Sequence, residues 1–417
     1  MRDDLVFPPG SAPYLAATTP HNATVAQKPA MVARPRSAAD VADAVRWAAG
    51  RDLRVAVQAS GHGAGAPIGA DHLLVDTSGL TSVKVGGRTA RAGAGATWSA
   101  VNAVAERDGL LGLAGSSPTV CVAGYTFGGG VGYLTRPHGM ASSAVLAVDY
   151  VDGYGQTRRA TEDAPDLVDR EALWAYRGGG GVGVATTLTM ELVEPLELWA
   201  GYQLWSVDAL AAVVDAWADA MARVGEALST SLSVLHTPPG APAFPQALRG
   251  VPVVHLSFAS PEGAAAATPL LDALRAAPHP VVDSSWAPAD AARLAQIHLD
   301  PPNPVAALGM GRWLGQGGLA VAGDMLSIAA DVDSPLAMVE LRNLDNTAPT
   351  RDGAMSAVPG PLLLHAVGNA AQPGAHTRME EGFGRWRTES TGPESSFGRR
   401  RCRRPRSTPR ALPHSRR

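Results

Sequence analysis

Lysine is almost missing from this chain: Lys28 and Lys84 are the only two in 417 residues. A Walker-type phosphate loop needs a lysine directly after its glycines, and neither lysine stands in such a pattern, so common nucleoside-triphosphatase chemistry is excluded. Cysteine is as scarce. Cys121 sits in an apolar stretch and Cys402 inside an arginine run, which rules out a disulfide framework or a thiolate zinc site. Charged residues at 18% are too few for a coiled coil, and hydrophobic residues at 46% are too many for wholesale disorder. With aromatics at only 5%, the core is built mainly from Ala, Val and Leu. No window approaches the ~20 apolar residues of a membrane span, and Met1 to Pro20 lacks the apolar stretch of a signal peptide. The expectation is a soluble cytoplasmic protein with no membrane partner.

What the chain has in quantity is glycine, 46 residues, and proline, 33 residues, which predicts many short elements joined by tight turns. At ~150 residues per domain its length predicts two or three domains. The net charge of −3 combines two unlike parts. From Arg385 to Arg417 there are eleven Arg against two Glu, a charge of +9, so residues 1–384 carry −12. The basic stretch has little apolar surface to offset the entropy of ordering and reads as a disordered tail. It lacks the aromatic interleaving of a nucleic-acid site, so no specific nucleic-acid partner is expected.

Between Ala30 and Gly63 the pattern is strand, helix, strand. Ser37 stands as a helix N-cap with Asp40 three residues on, Val41, Ala44, Val45 and Ala48 share one face, and Gly50 ends the helix. Leu53, Val55 and Val57 alternate as a strand running into Gln58-Ala59-Ser60-Gly61-His62-Gly63, a small-residue loop of the kind whose backbone N–H groups can approach a phosphate. Strands follow around Leu73–Asp76, Val83–Val85 and Ala90–Gly95, then a helix capped by Thr97 and ended by Gly109. Gly115 to Gly139 is dominated by backbone without side chains, either a loop needing positive φ at several sites or the cradle of a planar or phosphorylated ligand. A strand at Val145–Val151, a Gly153–Gly155 turn, a second glycine platform at Gly178–Gly181 and an apolar strand at Leu188–Val193 come next. Beyond Pro195, strands near 199–206, 231–236, 253–258, 336–344 and 362–367 alternate with helices over 210–228 and 263–277, which suggests an antiparallel sheet with helices on one face. A dinucleotide fingerprint does not fit: Gly93 and Gly95 lack the third glycine in register, and Gly128–Gly132 is far from the first strand.

The order of the three glycine-rich segments resembles the flavin-linked oxidases of the berberine-bridge-enzyme-like and hydroxynicotine-oxidase-like group, whose FAD-binding domain is of para-cresol methylhydroxylase type. The likeness rests on Val57–Gly63 with His62, on Gly115–Gly139 with Pro118, Gly124, the triple glycine and Gly132, on Leu173-Trp174-Ala175-Tyr176-Arg177 leading into Gly178–Gly181, and on Pro301-Pro302-Asn303-Pro304. It implies an α+β fold, with a two-subdomain FAD-binding domain over 29–195 after an extension at 1–28. An antiparallel-sheet substrate domain follows over 196–384, then the tail over 385–417. It also implies an oxidase that moves a hydride from a C–H beside a hydroxyl or amine of a small metabolite to FAD, with dioxygen as the second substrate.

In that family the histidine of the first loop carries the flavin, so His62 is the expected single covalent link. Ala59, Ser60, Gly61, Gly63, Ser117, Pro118, Thr119, Gly124, Gly128, Gly129, Gly132 and Val184 are the expected cofactor contacts. Some members add a thioether through a Cys directly before the proline matching Pro118; here that position is Ser117, which cannot form one. Cys121 reads as a small buried hydrophobe. After Gly178–Gly181 the platform is one residue shorter than is usual in the family. The family's closing segment, with its Tyr near the flavin, has no counterpart, since no Tyr follows Tyr202. These departures raise the alternative of a flavin-binding but catalytically impaired protein. The base is not legible: Tyr125, His236, His255 and His298 are the titratable candidates.

Overall fold

A computed structural model describes residues 5–384 apart from Ala243, Pro302, Pro349, Thr350, Ser356, Ala371 and Pro373. The expected tail at 385–417 and Pro302 of the proline-rich motif lie outside the described residues. Among the described residues no helix is long and apolar enough to cross a membrane.

Three sheets organise the chain. The first runs in the order Val6–Phe7, Met31–Ala33, His72–Asp76, Arg54–Gln58, and its last three strands are parallel. Parallel pairing demands a crossover, and the helix Ala38–Ala49 supplies it. Its start is set as expected, with Ser37 Oγ accepting from the Asp40 N–H and Asp40 Oδ2 accepting from the Arg36 N–H. Its buried face of Val41, Ala44, Val45 and Ala48 packs on Leu73 and Val75. The second sheet, antiparallel throughout, runs Val83–Gly86, Thr89–Gly93, Val184–Glu191, Val145–Val151, Thr157–Thr161.

The third sheet has seven antiparallel strands in the order Val282–Pro288, Trp199–Ser206, Pro252–Ser260, Ser229–His236, Leu336–Asn343, Leu362–Asn369, Ala307–Leu314. Side chains alternate across a strand. One face therefore presents Leu232, Val234, Leu256, Phe258, Val339 and Leu341 to a core shared with the helices Leu210–Met221, Thr268–Ala273 and Ala322–Ser327. The other face carries Ser231, Ser233, His255, Ser257, Glu340 and Arg342. The register sets Ser231 opposite both Ser257 and Arg342, and Ser233 opposite both His255 and Glu340.

The structure corrects several local expectations. The region Gly115–Gly139 is not all loop: Val122–Phe127 and Thr135–His138 are helical. Helices this short are marginal alone; here the Val122 N–H is held by Ala96 O and the Gly132 N–H by Thr135 Oγ1. The helix expected over 210–228 ends at Met221. That expected over 263–277 breaks into short helical pieces, since Pro269 sits in the first turn of Thr268–Ala273 and removes a backbone donor. The strands Val282–Pro288 and Ala307–Leu314 were not expected; the first is polar and ends in proline, and the second carries Gly309 and Gly311, so neither shows a strand pattern.

Candidate functional site

The first two sheets and the glycine segments between them enclose a cavity of about 1330 Å³. That exceeds the roughly 300–1,000 Å³ of ordinary small-molecule sites and suits a large, extended ligand. Its walls combine glycine backbone with small and apolar side chains. The loop after the strand Arg54–Gln58 contributes Ala59, Ser60, Gly61, His62 and Gly63; the short helix Val122–Phe127 and its end contribute Gly124, Tyr125 and Gly128; Gly178–Gly181, Gly183 and Val184 form the far side.

Two glycines show why these residues stand there. Gly61 has φ +72°, and a Cβ on it would lie 2.4 Å from Pro20 Cβ, so the loop can pack on the N-terminal segment only without a side chain. At Gly124 a Cβ would meet nothing within 4 Å, so there the missing side chain leaves open space on the cavity side.

Of the expected contact residues, His62, Ala59, Ser60, Gly61, Gly63, Gly124, Gly128 and Val184 line the cavity. Ser117, Pro118, Thr119, Gly129 and Gly132 do not line it. Thr119 reaches the site indirectly: its Oγ1 is 3.0 Å from His62 Nε2 and 3.2 Å from Ser117 Oγ. Pro118 O accepts from the Ser99 N–H. Gly129 and Gly132 serve packing, since Cβ atoms there would lie 3.0 Å from Met355 Sδ and 2.0 Å from Ala114 O. Sequence reasoning missed Gln27, Gln58 and Asp152, which also border the cavity. Their signal was faint, as each is an ordinary polar residue that only the parallel sheet and the turn after Val151 bring to the rim. The shortened platform still reaches the cavity through Gly183 and Val184.

His62 is the one titratable side chain among those expected. Burial, with a smaller contribution from His21, brings its pKa down to about 4, against the opposing pull of Asp300. It is therefore neutral at pH 7. Its ring stacks on His21 with centroids 3.6 Å apart and planes 16° from parallel. Cys121 is buried and donates to Gly95 O, with its thiol pKa raised first by burial, which fits the expected small hydrophobe.

The four base candidates separate. His298 has both ring nitrogens on carboxylates, Nδ1 at 3.0 Å from Asp300 and Nε2 at 3.0 Å from Glu340. Burial opposes its charge, but the two carboxylates more than offset that and raise it to about 10, so it is a fixed cation with no lone pair to offer. Glu340, fully buried, also pairs with Arg342 at 2.9 Å. His255 lies between Ser233 Oγ and Ile297 O, with burial bringing it down to about 4. His236 bonds Ala329 O. Only Tyr125 borders the cavity; its buried hydroxyl has no hydrogen-bond partner among the described residues, and burial raises its pKa well above the phenol range.

Comparison with known proteins places this geometry. Residues 29–161 match a family model described as an FAD binding domain. Over that stretch the chain is similar to FAD-binding domains. Over 216 residues it is 32% identical to (R)-6-hydroxynicotine oxidase of Paenarthrobacter nicotinovorans, a match covering 50% of this chain and 46% of that protein. The chain spans less than half the length of this and the next curated relatives it matches. The crystal structure of 6-hydroxy-D-nicotine oxidase from Arthrobacter nicotinovorans superposes with a TM-score of 0.72 at 24% identity, over 90% of this chain and 83% of that one. The BBE-like 1 protein of Physcomitrella patens gives 0.77 at 19% identity, over 93% and 87%. The resemblance to the berberine-bridge-enzyme-like and hydroxynicotine-oxidase-like group is thereby shown, as is the α+β fold. The matched stretch contains the loop of His62 and the helix of Gly124.

Proposed function

We propose that this protein is an FAD-dependent oxidoreductase, an oxidase, that holds its flavin through a single covalent bond at His62 and takes hydride from a C–H beside a hydroxyl or amine of a small metabolite. The observation that carries this reading is one juxtaposition: a neutral imidazole at the edge of a glycine-rich cavity of about 1330 Å³ beside a stretch that matches FAD-binding domains. The residues fit the group. Gly63 and Gly124 have open space where a Cβ would project, and apart from His62 the loop 59–63 borders the cavity with no side chain larger than Ser. Bound there, the flavin would accept hydride and return the electrons to dioxygen.

The chain's part is positioning and charge. His62, uncharged at neutral pH, keeps a nucleophilic lone pair. Tyr125, held protonated by burial, is no base at pH 7. A solved glucooligosaccharide oxidase from Acremonium strictum, 17% identical and alike in fold, is described as carrying 6-S-cysteinyl, 8α-N1-histidyl FAD. With Ser117 in place of a cysteine before Pro118, one link rather than two is the reading here. The FAD-binding part would span 29–195 and the substrate-binding part 196–384.

The purified protein is expected to show flavin absorbance and, after denaturation, a mass increment of one FAD that disappears in His62→Ala. A colourless wild-type protein would overturn the flavin reading. Covalent flavin persisting in His62→Ala would overturn the linkage alone.

A further inference from the structure

His21 belongs to the segment before the FAD-binding domain, yet it is built into the site. Its N–H donates to Ser60 O at 3.1 Å, the next N–H, of Asn22, donates to Gly61 O at 3.1 Å, and the Val305 N–H donates to His21 O at 2.9 Å. The backbone of His21 is thus clamped between the His62 loop and the chain leading into the seven-stranded sheet. Asn22 Nδ2 and Thr24 Oγ1 strengthen that second contact, each donating to Ala307 O at 3.0 Å. The glycine at position 61 is what lets Pro20 and His21 lie this close.

Two contacts then fix the His62 ring in space. His21 covers one face at 3.6 Å, and Thr119 Oγ1 meets Nε2 at 3.0 Å. Among the described residues Nδ1 has no hydrogen-bond partner, and the ring lines the cavity. Thr119 Oγ1 can accept from Nε2–H while donating its own hydroxyl proton to Ser117 Oγ, an arrangement that would leave the lone pair on Nδ1. The His21 Nε2 atom is itself buried without a hydrogen-bond partner among the described residues. Its ring is therefore not held by hydrogen bonds, which leaves the stack as its specific contact. The charge that bears on both rings is that of Asp300.

We propose that His21 is a positioning residue for flavin attachment: stacked on His62, and with Thr119 engaging Nε2, it presents Nδ1 as the bonding atom. This rests on the reading of His62 as the attachment point. In the attachment a bond forms between Nδ1 and the flavin 8α carbon, one C–H bond of that carbon and the imidazole N–H are lost, and the two electrons and two protons reduce the ring, which dioxygen reoxidises with release of hydrogen peroxide.

The test reconstitutes apoprotein with FAD and follows bound flavin and covalent flavin separately, by absorbance and by intact mass after denaturation. At equal bound flavin, His21→Ala should slow covalent attachment about tenfold or more, as expected when a reacting group loses its orientation. His21→Phe, which keeps a flat ring over His62, should restore most of that rate. Thr119→Val should give flavin peptides linked through both ring nitrogens, distinguished by NMR, where the wild type gives Nδ1 alone. Attachment by His21→Ala at the wild-type rate, or a His21→Phe variant no faster than His21→Ala, would overturn the proposal. If His21→Ala binds no flavin, the rate of His21→Phe decides. Covalent flavin in His62→Ala would instead overturn the reading on which the proposal rests.

Discussion

The molecule has two polar centres built on opposite principles. Around His62 the walls are glycine backbone and mostly small or apolar side chains, and the histidine is neutral with no carboxylate bonded to its ring. On the inner face of the seven-stranded sheet, Asp300, His298, Glu340 and Arg342 form a buried chain of alternating charges with both His298 nitrogens and both Glu340 oxygens engaged. Two histidines in one protein are thus driven in opposite directions, His62 down to about 4 and His298 up to about 10. Burial disfavours the cation in both. The difference is that His298 gains two carboxylates at 3.0 Å, whereas the neighbour of His62 is another histidine.

The sharpest way to break this contrast is to remove one charge from the second centre. Glu340→Gln leaves His298 and Arg342 buried without their shared anion. The expected cost is about 3–5 kcal/mol of unfolding free energy, read from denaturant titration. His62→Ala, which strands no charge, should change stability far less. Equal losses from the two substitutions would show that the buried ions are dispensable.

The pH dependence of stability should carry the same asymmetry. A histidine raised in the folded state contributes stability that is complete below the ordinary value of about 6.5 and is lost as pH rises towards the folded value. His298 therefore predicts a decline between about 6.5 and about 10. His62, depressed in the folded state, takes up its proton more readily when unfolded, so its effect is a loss of stability as pH falls from about 6.5 towards about 4. Asp300, held well below the carboxylate range, adds to the acid-side loss. Urea midpoints measured across this range should fall on both sides, and His298→Gln should flatten the alkaline limb and also reduce the share of the acid limb due to Asp300, which loses its cation.

The two centres also differed in how far the sequence disclosed them. The glycine-rich part of the site is written as glycine spacing, so the loop at 59–63 and the stretch around Gly124 were legible as glycine segments before any fold was known. The helix Ala38–Ala49 was equally legible, because Ser37, Asp40 and Gly50 mark its ends locally. The charged centre was not. His298 and Glu340 are 42 residues apart, and the pairing of Ser233 with Glu340 and of Ser231 with Arg342 follows from a strand register that no local pattern encodes. His21 escaped for the same reason, its partner lying 41 positions on. Among the glycines, spacing marked the right segments but could not separate the positions that open the cavity from those, like Gly129 and Gly132, that let neighbouring chain pack.

A pair of alanine substitutions makes that last distinction experimental. At Gly132 an added Cβ would stand 2.0 Å from the Ala114 carbonyl oxygen, a backbone atom that cannot swing aside, so Gly132→Ala should cost about 1–3 kcal/mol of stability. Flavin binding should then weaken only as far as the fold does. At Gly124 the added methyl meets no protein atom within 4 Å, and the residue lies within the helix Val122–Phe127. Alanine exceeds glycine in helix propensity by about 1 kcal/mol, so Gly124→Ala should leave the unfolding midpoint unchanged or slightly higher. Its methyl group would project into space on the cavity side, so FAD affinity should fall while the fold holds. A Gly124→Ala protein that binds FAD as well as the wild type would remove Gly124 from the cofactor contacts and confine the cradle to the loop of His62 and the far glycine wall.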